Sequence, residues 1–309
     1  MILTVTPNTN LDHIYVIDRL VRSGHLVASE TAECVGGKGG LLSAFAADLG
    51  ASSVSLGFAA GENARKLARL LRQRGVRVDF TPVQGETRRI ITIVERQNVH
   101  QTLLMPVTLR CSRGSELDLM RRAERWLRKS SWLALCGSLP PGCSRQLYAR
   151  LTRQARRHGV PVLIDSRGPA LSSALAARPT VVKLNQAELE RTVGQRLSTH
   201  SELAQALRQV VAKGVALAIC TLGAEGAVAV TAEAGWRVIP PHVRARDTVG
   251  AGDAFAAGLL ASRMKGQEWA EALRWAAAVG TAKSLEVRTD ALDRDKVRSL
   301  LRRVQVKNL

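Results

Sequence analysis

Residues 247–258 read DTVGAGDAFAAG. Gly250, Ala251 and Gly252 stand directly before a carboxylate, Asp253, and the small residues that follow read as a helix. Glycines at a helix start let backbone N–H groups converge on an anion, and the helix dipole adds to that attraction. An Asp in the same turn is placed to take a hydroxyl proton beside a cradled phosphoryl group. The plain alternative is an acidic residue favoured by the positive end of a helix. The stretch alone supports both readings equally, so its surroundings must decide.

Outward from this stretch the chain alternates short apolar runs with amphipathic segments. WLALCG, VPVLID, TVVKLN and VALAICTLG read as strands. ENARKLARLLRQRG sets Ala64, Leu67, Ala68 and Leu71 on one helical face and stops at Gly75. SELDLMRRAERWLRKS, with Ser115 and Asp118 three apart, is expected to open on a capping box. SRQLYARLTRQARRHG, QAELERTVG and SELAQALRQVVAKG are further helices. Continuous apolar strands between such helices predict an α/β fold with a mostly parallel sheet covered on both faces. Ligands bind outside the carboxyl ends of such strands. GSLPPG, DSRG, NQAE and TLGAEG all follow strands, which favours one composite site.

Two stretches break the alternation. Residues 11–35 and 86–105 are rich in Val, Ile, Thr and Tyr without a helical period. They are expected to form a small antiparallel sheet beside the main one, or else its edge strands. No exposed linker divides the chain, so residues 1–309 are read as one domain.

Other motifs carry chemistry together rather than singly. VGGKGG, residues 35–40, is not a Walker A loop: Ala32 stands where a glycine is needed and Gly39 where Ser or Thr would follow the lysine. It reads as a glycine turn with a phosphate-contacting lysine, or as a plain hinge. KLNQAE sets Asn185 and Glu188 three apart at a helix start, either as oxygen ligands of a hydrated magnesium ion or as a helix cap. Thr221, Gly223 and Gly226 of TLGAEG suit phosphate contact or a simple turn.

Composition sets bounds. No apolar run of the 309 residues approaches the roughly 20 that span a membrane. MILTVT is too short for a signal peptide and has no basic segment before it, so a cytoplasmic location is expected. Five scattered cysteines without a Cys-x-x-Cys pair predict buried free thiols rather than zinc or disulfides. The net charge of +19 predicts an arginine-rich solvated surface. With 4% aromatics there is little for base stacking, so nucleic acid is the lesser reading of that charge. A general attraction for small anions is the third.

Together these motifs resemble the ribokinase-like (PfkB) carbohydrate kinase family. DTVGAGDAFAAGL is the specific element, and GGKG, GETR, GSLPPG, KLNQAEL and TLGAEG accompany it in the expected order. The opening TVTPNTNLD, with GETR and GSLPPG, is most similar to the branch that contains the 1-phosphofructokinases and tagatose-6-phosphate kinases. The resemblance implies a three-layer ribokinase-like fold with a small β-sheet lid, and ATP-dependent phosphoryl transfer to a sugar hydroxyl. It implies Asp253 as the base and an anion hole at the turn Gly250, Ala251, Gly252, built from the N–H groups of Ala251, Gly252 and Asp253. Magnesium would be organised by Asn185 and Glu188 through water. ATP would be lined by Lys183, Asn185, Thr221, Gly223 and Gly226. Asp12, Gly37, Lys38 and Gly39 would face the sugar, and Arg88 the acceptor's phosphate. Pairing through the lid into a homodimer is a further expectation.

Most of the departures are on the acceptor side. Leu41 holds a position where this branch has Asn, Leu26 and Val27 replace Asn-Arg, Ile90 replaces an Asn, and Leu184 a Pro. An active kinase with altered acceptor specificity is the first reading. A kinase of a nucleoside or other less polar alcohol is the second. A non-catalytic binding or regulatory protein, associated with nucleic acid, is the third.

Overall fold

The computed structural model describes residues 1–21, 23–96, 101–107 and 109–309. An eleven-stranded sheet forms its centre. Six strands, Leu217–Thr221, Val181–Asn185, Val162–Asp165, Trp132–Cys136, Ile2–Asn8 and Ser53–Ala59, lie side by side in that order and run parallel. The short strands Arg77–Val78 and Thr81–Pro82 extend the parallel part. Ala227–Val230, Gly235–Ile239 and Gln305–Asn308 close the other edge antiparallel.

The apolar runs have no polar alternation because both faces are covered. Trp132, Ala134 and Cys136 join the core beneath the helices Lys38–Asp48, Ala251–Arg263, Trp269–Ser284 and Arg294–Leu301. Leu133 and Leu135, between them, join the core beneath Arg113–Leu127, Leu147–Arg157 and His200–Val211. Period-2 side-chain direction alone divides one strand between two cores. Among the described residues no helix is long and apolar enough to cross a membrane.

The lid is a separate four-stranded sheet in the order Glu30–Val35, Asn10–Ile17, Arg88–Glu95, Gln101–Leu104. It is mixed rather than antiparallel, because Asn10–Ile17 and Arg88–Glu95 run parallel. Both strands leave the main sheet at the same place. Asn10 follows the end of Ile2–Asn8 directly, and Arg88, its partner in register, donates from Nη2 to the Asn8 carbonyl at 3.3 Å. Residues 22 and 97–100 of the two lid segments lie outside the described residues.

Two local readings need correction. The cap of Arg113–Leu127 is Ser112, not Ser115: Ser112 Oγ accepts the Ser115 N–H at 3.2 Å, and Ser115 Oγ accepts the Ser112 N–H at 2.8 Å. Asp118 instead pairs with Arg122 and accepts from Thr81. All five thiols are free, but Cys143 is only partly buried.

Candidate active site

The helix Ala251–Arg263 starts at the carboxyl ends of the parallel strands. Its cap, Gly250, has φ +83°, the left-handed region that glycine adopts without strain. A side chain there would also meet the Thr289 carbonyl at 2.9 Å and stand 3.5 Å from Leu41. The Ala251 N–H donates to Thr248 O at 3.2 Å and the Asp253 N–H to Gly250 O at 3.1 Å. These are the long contacts of a first helical turn, and the Gly252 N–H has no protein acceptor among the described residues.

Asp253 is buried in that first turn. Burial pushes its carboxyl up to about 7; Asp165 and Glu188 add to the shift, and Lys38 and Lys183 oppose it. The lysines are themselves fixed by Asp165, at the end of Val162–Asp165. Lys183 Nζ donates to Asp165 Oδ2 at 2.7 Å, and Lys38 Nζ donates to Oδ1. Burial disfavours the Asp165 charge, but the two ammonium groups outweigh it and hold its carboxyl down at about 2. Burial also works against the Lys38 charge, yet Asp165, Asp253 and Glu188 keep the proton on. Lys183 Nζ would stand 3.2 Å from a side-chain carbon at Gly252, so this ammonium abuts the glycine turn.

Glu188 and Asn185 form a reciprocal cap. Glu188 Oε2 accepts the Asn185 N–H at 3.0 Å and Asn185 Oδ1 accepts the Glu188 N–H at 2.8 Å. Glu188 Oε1 lies 3.6 Å from Lys38 Nζ. Capping and ion binding are therefore not exclusive: both side chains keep oxygen lone pairs free, which fits a hydrated magnesium ion held through water.

On the lid side, Asn10, Asp12, Arg88 and Ile90 share one face, because Asn10 is in register with Arg88 and Asp12 with Ile90. Asn10 Nδ2 donates to Asp12 Oδ1 at 2.5 Å. Burial raises the Asp12 carboxyl to about 8 against that hydrogen bond, with Asp253 adding to the rise. Burial lowers Arg88, which feels both Asp12 and a second arginine, Arg167. Ser138 of GSLPPG accepts from Asn8 Nδ2 at 3.3 Å.

The other side of the glycine turn opens into a cavity of about 240 Å³. Thr221, Gly223, Gly226, Pro240, Phe255 and Gly280 line it, and so do Ala251 and Gly252. The glycine turn is thus one wall of a largely apolar slot.

Several residues singled out by their motifs also have local structural roles or surroundings. Gly37 caps Lys38–Asp48 with φ +78°. Gly39 is a packing glycine, since a side chain there would run into Thr6 and approach Cys136 to 3.3 Å. Leu41 is 3% exposed and belongs to the core behind Gly250. Leu26 and Val27 are 43% and 89% exposed, on the connection between two lid strands. Motif reading did not single out Asp165, Asn10 or Arg167. Asp165 was within reach, because DSRG stands at a strand end like its neighbours.

The chain resembles known proteins in sequence and in fold. A model of the pfkB family of carbohydrate kinases matches residues 7–293. A 1-phosphofructokinase of Rhodobacter capsulatus is 33% identical over 310 residues, covering 100% of this chain and 98% of that protein. A 1-phosphofructokinase of Xanthomonas campestris is 34% identical over 264 residues, or 84% of this chain and 83% of that protein. Among solved structures, phosphofructokinase-2 from Escherichia coli in complex with substrates and products aligns with a TM-score of 0.90 at 26% identity, covering 98% of each chain.

Proposed function

The chain belongs to the pfkB family of carbohydrate kinases, and we propose that it transfers the γ-phosphoryl group of ATP to a hydroxyl of a sugar phosphate, with Asp253 as the base. The observation that carries this reading is Asp253 itself: a buried carboxylate in a glycine-opened first turn, between an apolar slot and the lid face, with two lysines acting on its charge.

The acceptor hydroxyl gives its proton to Asp253 as its oxygen bonds to the γ-phosphorus. The bond from that phosphorus to the β–γ bridging oxygen breaks, and ADP leaves. Phosphoryl transfer depends mostly on positioning and charge stabilisation. The free Gly252 N–H and the Lys183 ammonium supply positive potential where the transferred group passes. The adenine end of ATP occupies the slot lined by Phe255, Pro240 and Gly280. A magnesium ion bound through Asn185 and Glu188 would neutralise phosphate charge. Asp12, braced by Asn10, hydrogen-bonds sugar oxygens.

Arg88 and Arg167 supply cationic contacts for a phosphate on the acceptor. A second reading rests on Ile90, an apolar side chain next to Asp12 on the same lid face, which favours a nucleoside or less polar alcohol. We also assign a homodimer formed through the lid. Of ten large apolar side chains exposed among the described residues, eight lie at positions 20–27 or 103–107.

An acceptor panel separates the substrate readings. ATP turnover is measured with free sugars, ketose phosphates and nucleosides. A ketose phosphate as the best acceptor by kcat/KM is the expected result. A nucleoside ahead of every phosphorylated sugar would sink the first reading and favour the second.

A further inference from the structure

Lys283 is completely buried, one residue before the end of the helix Trp269–Ser284. Buried lysines are rare unless paired, and the residue has no part in the transfer step above. Its ammonium lies 3.3 Å from Asp247 Oδ2, 3.3 Å from the Asp247 carbonyl and 3.4 Å from the Glu286 carbonyl. Three nearly equal distances describe an ammonium centred among oxygens rather than committed to one of them. Its Cε would stand 3.4 Å from a side-chain carbon at Gly250.

Asp247 is just as buried and acts in two directions. Its Oδ1 accepts the Val249 N–H at 2.8 Å, which fixes the turn leading into Gly250. The same oxygen accepts from Gln101 Nε2, on the outer strand of the lid. The lysine therefore neutralises a carboxylate that holds the glycine turn on one side and the lid on the other. Without it, Asp247 would be a buried, uncompensated negative charge behind a turn built to receive phosphate. An unpaired buried charge is strongly unfavourable, so Asp247 would protonate or move. Either response disturbs the turn.

We propose that Lys283 is a positioning residue: its ammonium is a built-in monovalent cation that fixes Asp247, and through Asp247 the glycine turn and the lid. The inference rests on the reading of Gly250–Asp253 as the transfer site. It has a consequence for salt. Because the oxygen cage is filled from within, turnover needs no free monovalent cation.

The test compares the full-length protein with Lys283→Ala, using the best acceptor from the panel. Tetramethylammonium chloride, too large for the cage, is replaced stepwise by ammonium chloride at constant ionic strength. The wild type is expected to be indifferent to the exchange. Lys283→Ala is expected to lose kcat by roughly 10²-fold, the cost of ångström-scale misplacement. Ammonium should restore part of the loss, with less change in the KM of the acceptor. Rescue by a small cation is a readout that mere structural support would not give. A Lys283→Ala protein that keeps wild-type kcat overturns the inference, as does a folded variant whose loss ammonium does not repair. Should the variant not fold, the wild type still decides: ammonium-dependent turnover of the unaltered protein would show that Lys283 does not fill the cage. A wild type inactive on every acceptor would instead refute the kinase reading beneath it.

Discussion

In its proposed role as the base, Asp253 must be ionised before it can accept a proton. Its surroundings make that a near-neutral event, because burial, Asp165 and Glu188 favour the protonated acid more than Lys38 and Lys183 favour the carboxylate. The sign follows directly. Below a folded-state value of about 7 the carboxyl is protonated and cannot act as the base; above it the base is available. Activity should therefore rise with pH through an acid limb near neutrality. The check is kcat/KM against pH in the free enzyme, the quantity that reports free-enzyme ionisations. A limb close to the ordinary aspartate value of about 3.9 would contradict the described environment. Asp165 behaves oppositely for a concrete reason: two ammonium groups touch it, whereas they act on Asp253 only through space.

Elements with one dominant signal were legible in the sequence. The strands Trp132–Cys136 and Leu217–Thr221 appear where continuous apolar runs demanded two covered faces. The helix Gly61–Gln73 buries Leu67, Ala68 and Leu71 as its period requires, with Ala64 only partly covered. What failed was partner choice. Strand-like composition marked Asn10–Ile17 and Arg88–Glu95, but composition carries no direction, and the parallel pairing comes from both strands leaving the same end of the main sheet. The cap at Ser112 was missed because Ser115 also satisfies the spacing rule, and only backbone geometry separates the two. The site was legible as motifs, whereas the charge network was not. Asp165, Lys38 and Lys183 are far apart in sequence and meet only through strand order. The lid carries a prediction at this scale. Exposed apolar clusters of this kind mark interaction surfaces, so sedimentation of the wild type should give a dimer mass. Replacing Val27 and Leu104 with Asp should shift it toward monomer. A wild type that sediments as a monomer at every concentration would remove the lid dimer.

Across the whole molecule, the sheet brings its chemistry to one end. Cys136 is in register with Asp165, and Asn185 with Thr221, so motifs spread over the chain end at a common level. The helix Ala251–Arg263 then delivers Asp253 to that level, with the lid above and the slot alongside. Ion pairs engage some of the 45 lysines and arginines, as where Arg122 and Arg125 share Asp79 and where Arg150 holds Glu116, but each pair also uses an acid and leaves the net +19 unchanged. That excess favours anionic substrates without specifying one. The central claim is that this convergence moves a phosphoryl group with Asp253 as its base. The most direct measurement is kcat for phosphorylated product formed from ATP and the best acceptor, comparing wild type with Asp253→Asn at equal thermal stability. General-base removal should lower kcat by about 10²–10⁴-fold. An Asp253→Asn protein that turns over at the wild-type rate would contradict the account.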